Sequence, residues 1–305
     1  MNNPPIAILS SPRSGNHFIR YIVEFLSGRC TLGVTRKLEE PKDSGQKWED
    51  GSPILEGDSP VCLRPNVQLL DHVSCDNPIA AKYHFADPKG RKNLFPIANT
   101  FEDISNCEKM IYIQREPLDN LISMYNNEIW PSKDGEGQSN IYVAKNLSEE
   151  PGPMTALKNS ADGCWENLQF FKNFKGPKLM IMYEMIVYGD HTFPVQELAK
   201  LINCTPESYS KLVNDFEKYR QDSMEAPHRP PLTLKKHKKD GDKGSRIKNG
   251  FKGAFAHRRN LLAVNHNSYH TLAGLISPML NDPLIKQLYN SVLEAHDLGT
   301  PAVAS

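Results

Sequence analysis

An α/β fold, with a central parallel sheet flanked by helices in a single domain, is predicted by three observations. Short apolar runs suited to buried strands recur at residues 6–9, 79–85, 109–114 and 179–183. Stretches with apolar residues at helical spacing lie between them, and strands that alternate with helices favour a mostly parallel sheet. The first run also leads directly into a polar turn, Ser10-Ser11-Pro12-Arg13-Ser14-Gly15, and then into a helical pattern. That strand–turn–helix order aims backbone N–H groups and a helix N-terminus at one point, which suits an anion.

The elements follow in order. Residues 6–9 form a short apolar run with turn residues behind it, as a buried parallel strand requires. Phe18, Ile22, Phe25 and Leu26 recur at i, i+4, i+7 and i+8 and predict a helix that ends near Gly28. Residues 36–60 are rich in Lys, Glu, Asp, Gly, Ser and Pro and read as a long surface loop. A second strand is expected over 79–85 and a third over 109–114. Pro117 then suits the first turn of a helix continued by Leu118, Leu121, Ile122 and Met124. Residues 131–153 read as loop, 156–174 as helix and 179–183 as a fourth strand. Further helices are expected around 194–203, 206–219 and 268–295. Residues 234–260 carry ten Lys or Arg against Asp240 and Asp242, with glycines at 241, 244, 250 and 253. Such a segment reads as a solvated loop or as a flap over an anionic ligand.

The composition narrows the function classes. The chain has 305 residues, 39% of them hydrophobic and 24% charged, with a formal net charge of +0. This describes an ordinary globular protein and argues against wholesale nucleic-acid or membrane-surface binding. Neither a repeat nor a clean interior linker divides residues 1–305, so one domain is expected. No apolar run reaches the roughly 20 residues that span a bilayer. The N-terminus lacks the basic start of a signal peptide. Six scattered cysteines, at 30, 62, 75, 107, 164 and 204, show no C-x-x-C pairing, and free thiols with a cytoplasmic setting are expected.

The loop departs from nucleotide-triphosphatase chemistry in an informative way. Against G-x-x-x-x-G-K-[ST], Ser10 replaces the first Gly and Gly15 keeps the second. Asn16 and His17 stand where Lys and the metal-binding Ser/Thr would be, and the cation has moved into the loop as Arg13. The sheet is thus P-loop-like, with a loop built for a phosphate anion without a loop-bound metal. Parallel α/β sheets bind ligands at the carboxyl ends of their strands. Arg13 follows the first strand there, His84 ends the second with Lys82 on the same face, Arg115 ends the third with Ser123 on the next helix, and Tyr183 ends the fourth.

This constellation resembles the sulfotransferases that use 3′-phosphoadenosine 5′-phosphosulfate (PAPS), in particular the soluble type acting on small molecules. Ser11-Pro12-Arg13-Ser14-Gly15-Asn16-His17-Phe18 is similar to the family's 5′-phosphosulfate loop. Arg115-Glu116-Pro117, with Ser123 eight positions after Arg115, resembles its 3′-phosphate segment. Lys82-Tyr83-His84 resembles a Lys-Thr-His whose His is the catalytic base, and Tyr183-Glu184 a strand end whose Tyr encloses the adenosine. Lys248-Asn249-Gly250-Phe251-Lys252-Gly253-Ala254-Phe255 resembles the closing flap and keeps both glycines and the terminal aromatic. Its leading Arg is Lys248 here and its second cation is Asn249; Arg246 and Lys252 are nearby cations able to compensate.

The resemblance implies transfer of a sulfonate from PAPS to a hydroxyl, or an amine, of a small organic acceptor by in-line displacement. His84 would be the base, and Lys82, Arg13 and the N–H groups of residues 14–18 would stabilise the leaving phosphate. Arg115, Ser123, Tyr183, Lys248, Asn249 and Gly250 would hold the nucleotide, with adenosine 3′,5′-bisphosphate as product and no metal required. Two rivals belong to other classes. A P-loop small-molecule kinase would need the missing Lys and Ser/Thr. A non-catalytic nucleotide- or nucleic-acid-binding module would offer more aromatics than Phe251 and Phe255 beside its basic stretch. The family's short C-terminal dimerisation motif is absent, which leaves the oligomeric state open.

Overall fold

Five parallel strands form the central sheet in a computed structural model that describes residues 5–33, 42–47, 53–56, 72–84, 104, 106–125, 147, 151–188, 191–216 and 255–294. The strands are β1 (Ile6–Ser10), β2 (Thr31–Leu32), β5 (Ala80–Tyr83), β6 (Lys109–Gln114) and β7 (Lys178–Met182), in the order β2-β5-β1-β6-β7. All four pairings are parallel. Because β1 lies between β5 and β6, the chain builds outward on both sides of β1. Crevices that open at such reversals lie beyond the carboxyl ends of the strands.

Side-chain alternation explains why both faces are covered. Ile6, Ile8, Ile111, Ile113 and Ile181 point to one face and pack with Phe18, Ile22 and Phe25 of α1 (Asn16–Ser27). Helices α5 (Thr192–Ile202) and α6 (Pro206–Asn214) complete that layer through Val195, Leu198 and Leu212. Ala7, Leu9, Tyr83, Tyr112 and Met182 point to the other face. They meet Leu118 and Leu121 of α2 (Pro117–Met124) and Leu157 and Leu168 of α3 (Pro151–Asn173). Ile8, Ile22 and Ile111 are 0% exposed, and each such side chain contributes about 1.5–3 kcal/mol by burial. Helix α1 ends where expected: Gly28 adopts φ 66° and its N–H reaches Glu24 O at 3.0 Å.

Three stretches differ from the sequence reading. Residues 36–60, expected as loop, contain strands β3 (Lys42–Lys47) and β4 (Pro53–Glu56), paired antiparallel with an irregularity between Asp43 and Lys47. The Lys-Asp-Ser-Gly-Gln-Lys sequence of β3 has no apolar alternation, so only the backbone ladder defines it. The helix expected over 268–295 is three helices: α8 (His266–Leu275), α9 (Ser277–Leu280) and α10 (Pro283–Glu294). Pro278 and Pro283 each sit in a first turn and interrupt the preceding helix. The basic segment 234–260 ends in structure rather than loop, because α7 (Ala256–Val264) begins inside it. Residues 234–254 lie outside the described residues.

The remaining short helix, α4 (Tyr183–Tyr188), follows β7 directly, so Tyr183 opens a helix instead of closing a strand. Among the described residues, no helix is long and apolar enough to cross a membrane.

Candidate functional site

The loop after β1 is shaped by backbone torsions at two positions. Arg13 has φ 65° and Gly15 φ 78°, both left-handed, so Ser14 lies between two turns of unusual hand. Gly15 is the N-cap of α1, and its carbonyl accepts from Phe18 N at 3.1 Å and Ile19 N at 3.3 Å. The Phe18 N–H is thereby occupied, and its ring packs inward, 5.7 Å from Phe216. The Ser10 hydroxyl and Asn16 Oδ1 are buried and make no hydrogen bond to any described residue. His17 is half-buried in the first turn of α1.

The loop is held from beneath by a residue that the sequence reading did not single out. Asn120, on α2, donates from Nδ2 to Pro12 O at 2.9 Å and to Ser14 Oγ at 3.2 Å. Arg115 holds it from the side, donating from Nη1 to Arg13 O at 2.7 Å. Residues 13 and 115 are 102 apart in sequence and are brought together because β1 and β6 are adjacent.

Arg115 is itself clamped. Its Nε and Nη2 both donate to Asp119 Oδ2, at 3.0 and 2.5 Å, and its guanidinium lies 5.1 Å from the centre of the Tyr183 ring. Three of its five N–H donors are used in these bonds, which leaves one on Nη1 and one on Nη2 with no partner among the described residues. Burial raises the cost of charging Asp119, but Arg115, His257 and the Arg258 N–H outweigh it and hold the carboxyl below its usual range. The same Tyr183 ring covers the loop. A Cβ on Gly15 would lie against Cδ2 and Cε2 of that ring, 2.5 Å from Cε2.

Behind this clamp lies a buried ionic network. Arg258 and Glu116 are both 0% exposed and pair at 3.0 Å. Arg258 also donates from N to Asp119 Oδ1 at 2.9 Å and from Nε to the Tyr269 hydroxyl at 3.0 Å. Glu116 caps α2 by accepting from Asp119 N at 2.6 Å. The Glu116 N–H in turn donates to Glu184 Oε1 at 2.9 Å. Tyr289 Oη lies 2.9 Å from Glu184 Oε2 and 3.1 Å from Gln114 O. The Tyr289 hydroxyl donates, and its one proton is shared between these two acceptors. Burial pushes the Glu184 carboxyl up to about 7.

On the other side of β1, His84 directly follows β5. Its Nδ1 lies 3.3 Å from Ser10 O, and its own carbonyl accepts from Asn167 Nδ2 at 2.9 Å. A carbonyl can only accept, so Nδ1 carries the proton and Nε2 carries the lone pair of the neutral ring. Lys82 lies two residues earlier, 3% exposed, in register with Ile8. Ser123 is buried on α2. The structure therefore gathers Arg13, Ser14, Gly15, Arg115 and Tyr183 by direct contact, with His84 bonded to the strand that leads into the loop. Lys248, Asn249 and Gly250 lie outside the described residues.

Several residues of this arrangement had no role assigned from the sequence: Asp119, Asn120, Asn167, Arg258 and Tyr289, and Glu184 beyond its place beside Tyr183. His257 joins them, because Asp119, Arg115 and Arg13 all act on it electrostatically. Burial, aided by the two arginines and opposed by Asp119, lowers its pKa to about 4. Asp119, at i+4 from Arg115 on the same helix start, was the one with a readable signal.

No protein-family model matches the chain, and no curated protein sequence matches it. Among solved structures, the chain is similar to a sulfotransferase from Alicyclobacillus acidocaldarius. The match has 13% identity, covers 75% of this chain and 97% of that one, and has a TM-score of 0.31. A likeness of that strength carries no functional weight.

Proposed function

We propose that this chain is a PAPS-dependent sulfotransferase that passes a sulfonate to a hydroxyl, or an amine, of a small organic acceptor. The observation that carries this reading is the hydrogen bond from Arg115 to the carbonyl of Arg13, which joins the two basic motifs. A nucleotide with one phosphate at each end of its ribose needs two anion sites at a fixed spacing. The strand ends supply two such groups of donors, held to each other and to Tyr183.

The residues present suit such a nucleotide. Helix α1 turns its N-terminus toward the loop, where the helix dipole favours an anion. The buried amide of Asn16, turned end for end, offers Nδ2 at the place where Oδ1 has no partner. The two remaining N–H groups of Arg115, with the buried Ser123 hydroxyl one α2 turn beyond Asp119, would hold the 3′-phosphate. The Tyr183 ring, already stacked beside Arg115, would flank the adenosine. Lys248, Asn249 and Gly250 would close the site.

The sulfonate donor supplies a good leaving group, and the chain supplies the proton acceptor. With Nδ1 bonded to Ser10 O, the Nε2 lone pair of His84 would take the proton from the acceptor hydroxyl. Lys82 and Arg13 would offset the charge that develops on the departing phosphate, an effect worth about 10²–10³ in rate per well-placed donor. The reading asks for no metal ion, so a chelator should leave turnover unchanged.

The deciding experiment uses labelled PAPS with a panel of alcohols, phenols and amines. Labelled ester or amide is expected from the native chain. His84→Ala should lower kcat by about 10²–10⁴ while affinity for adenosine 3′,5′-bisphosphate, read by calorimetry, stays within about threefold. Normal kcat in that variant would reject His84 as the base. Absence of nucleotide binding by the native chain would reject the reading as a whole.

A further inference from the structure

We propose that Cys30 and Cys75 are a disulfide-forming pair that staples the edge of the central sheet. The carrying observation is their placement. Arg29 and Ser74 form an isolated parallel bridge, with Cys30 N donating to Ser74 O at 2.9 Å and Ser74 N to Gly28 O at 3.0 Å. The next residue on each strand is a cysteine. Beyond it the second strand leaves the ladder and returns at Ile79, whose N–H donates to Cys30 O at 2.9 Å. Cys75 therefore opens a short excursion whose two ends, Ser74 and Ile79, are both hydrogen-bonded to the backbone of Cys30.

Neighbouring parallel strands lie roughly 5 Å apart, inside the window of about 4.4–6.8 Å between the Cα atoms of a disulfide. The Cys75 thiol lies near enough to Cys30 to act on it electrostatically. Of the other described cysteines, Cys107 and Cys164 are buried, and Cys164 is instead engaged by the Ser11 hydroxyl, at 3.0 Å.

The two thiols differ in a way that sets the order of events. Cys75 is half-buried and open to a small oxidant, whereas Cys30 is 0% exposed. Burial and the adjacent Cys75 thiol push the Cys30 thiol well above its usual range, which makes it a slow nucleophile. With a low-molecular-weight disulfide such as oxidised glutathione, the Cys75 thiolate attacks one sulfur, and one glutathione thiolate leaves. Cys30 then attacks the Cys75 sulfur, breaks the mixed disulfide and releases the second glutathione. Two protein thiols are oxidised to one S–S bond, one glutathione disulfide is reduced to two thiols, and the two protein protons pass to them.

The bond would close the chain over residues 30–75, which include β2, β3 and β4. Strand β2 is only two residues long and pairs on one side alone, so it depends on such anchoring. The staple lies at the amino ends of the strands, because Thr31 pairs with Ala80 and β5 runs from there toward His84. The strand ends that carry Arg13, His84 and Arg115 are at the opposite edge.

The test treats the full chain with oxidised glutathione at about pH 9 for an extended time, because the higher pH increases the small thiolate fraction with which Cys30 resolves the mixed disulfide. Expected are the loss of two hydrogens from the intact mass and a linked peptide that joins Cys30 to Cys75. The midpoint of thermal unfolding should rise by about 5 °C, reversibly with dithiothreitol. Both changes should be absent in Cys75→Ser and in Cys30→Ser. A chain that stops at glutathione on Cys75, or that links Cys75 to a different cysteine, overturns the proposal. If the 30–75 link forms and melting does not rise, the staple is refuted even though the bond exists.

Discussion

The ring of Tyr183 lies against Gly15, so the residue that opens α4 closes off one side of the loop after β1. Two constraints therefore meet at position 15: a left-handed torsion of 78° and a ring where a side chain would begin. Gly15→Ala should cost the chain more than the torsion alone. We expect a loss of about 2–4 kcal/mol in denaturant unfolding, of which about 1 kcal/mol reflects the torsion. In a Tyr183→Ala background the same substitution should cost only that smaller part. Equal costs in both backgrounds would show that the ring does not constrain the loop.

Asp119 is the joint between the clamp and the network behind it, since one oxygen holds Arg115 and the other the Arg258 N–H. Asp119→Asn keeps the shape but replaces one acceptor oxygen with an NH2, so one bond is lost and the other loses its charge. Affinity for adenosine 3′,5′-bisphosphate should fall about 10-fold, which corresponds to about 1.4 kcal/mol. Isothermal calorimetry reads this directly, and an unchanged Kd would mean that Arg115 is positioned without Asp119.

The Arg258–Glu116 pair is fully buried, and removing one partner strands the other. Arg258→Met should destabilise the fold by about 3–5 kcal/mol, whereas Arg258→Met with Glu116→Gln should recover part of that loss. Chemical denaturation of the native chain, Arg258→Met, Glu116→Gln and the double variant decides it; strict additivity would argue that the two residues act independently.

Two buried groups should drive stability in opposite directions with pH. Between the ordinary carboxyl range and about pH 7, folded Glu184 keeps a proton that the unfolded chain has released. Its contribution is therefore present at low pH and is lost as pH rises through about 7. His257 is the reverse: the unfolded chain takes up a proton from the ordinary histidine range downward, while the folded ring stays neutral to about pH 4. Stability from this group is lost as pH falls across that span. In the native chain the two slopes oppose each other over much of the mildly acidic range. Glu184→Gln should unmask acid sensitivity, and His257→Asn should unmask a decline toward neutral pH, both read from melting temperature against pH. Parallel profiles for the native chain and both variants would refute the assignment.

Four of the five sheet strands were legible because each is a run of apolar residues with a polar residue at or just beyond its end, and 109–114 matches β6 residue for residue; β2, only Thr31-Leu32, is too short to show such a run. The residues at their ends could be named for the same reason, and the pairing of strands then brought Arg13 and Arg115 into contact. The supporting residues were hidden by their own chemistry. Arg258 sits in a basic stretch and reads as a surface charge, yet it is fully buried; only its partner Glu116, far away in sequence, explains this. Tyr289 and Asn120 look like ordinary helix residues until the chain folds them against a carbonyl. Strand β3 was missed because polar residues on both sides of a ladder leave no alternation to detect.

One contact also constrains the order in which this protein can be assembled on the ribosome. Tyr289, on α10, bonds the carbonyl of Gln114, the residue just before Arg115. The sheet can form once residue 182 has emerged, but the floor beneath Arg115 waits for helices that are synthesised more than 100 residues later. A nascent chain released before α10 would therefore carry a formed sheet and an unfinished clamp. The clamp around Arg115 is thus completed in one late step, when Tyr289 reaches the Gln114 carbonyl.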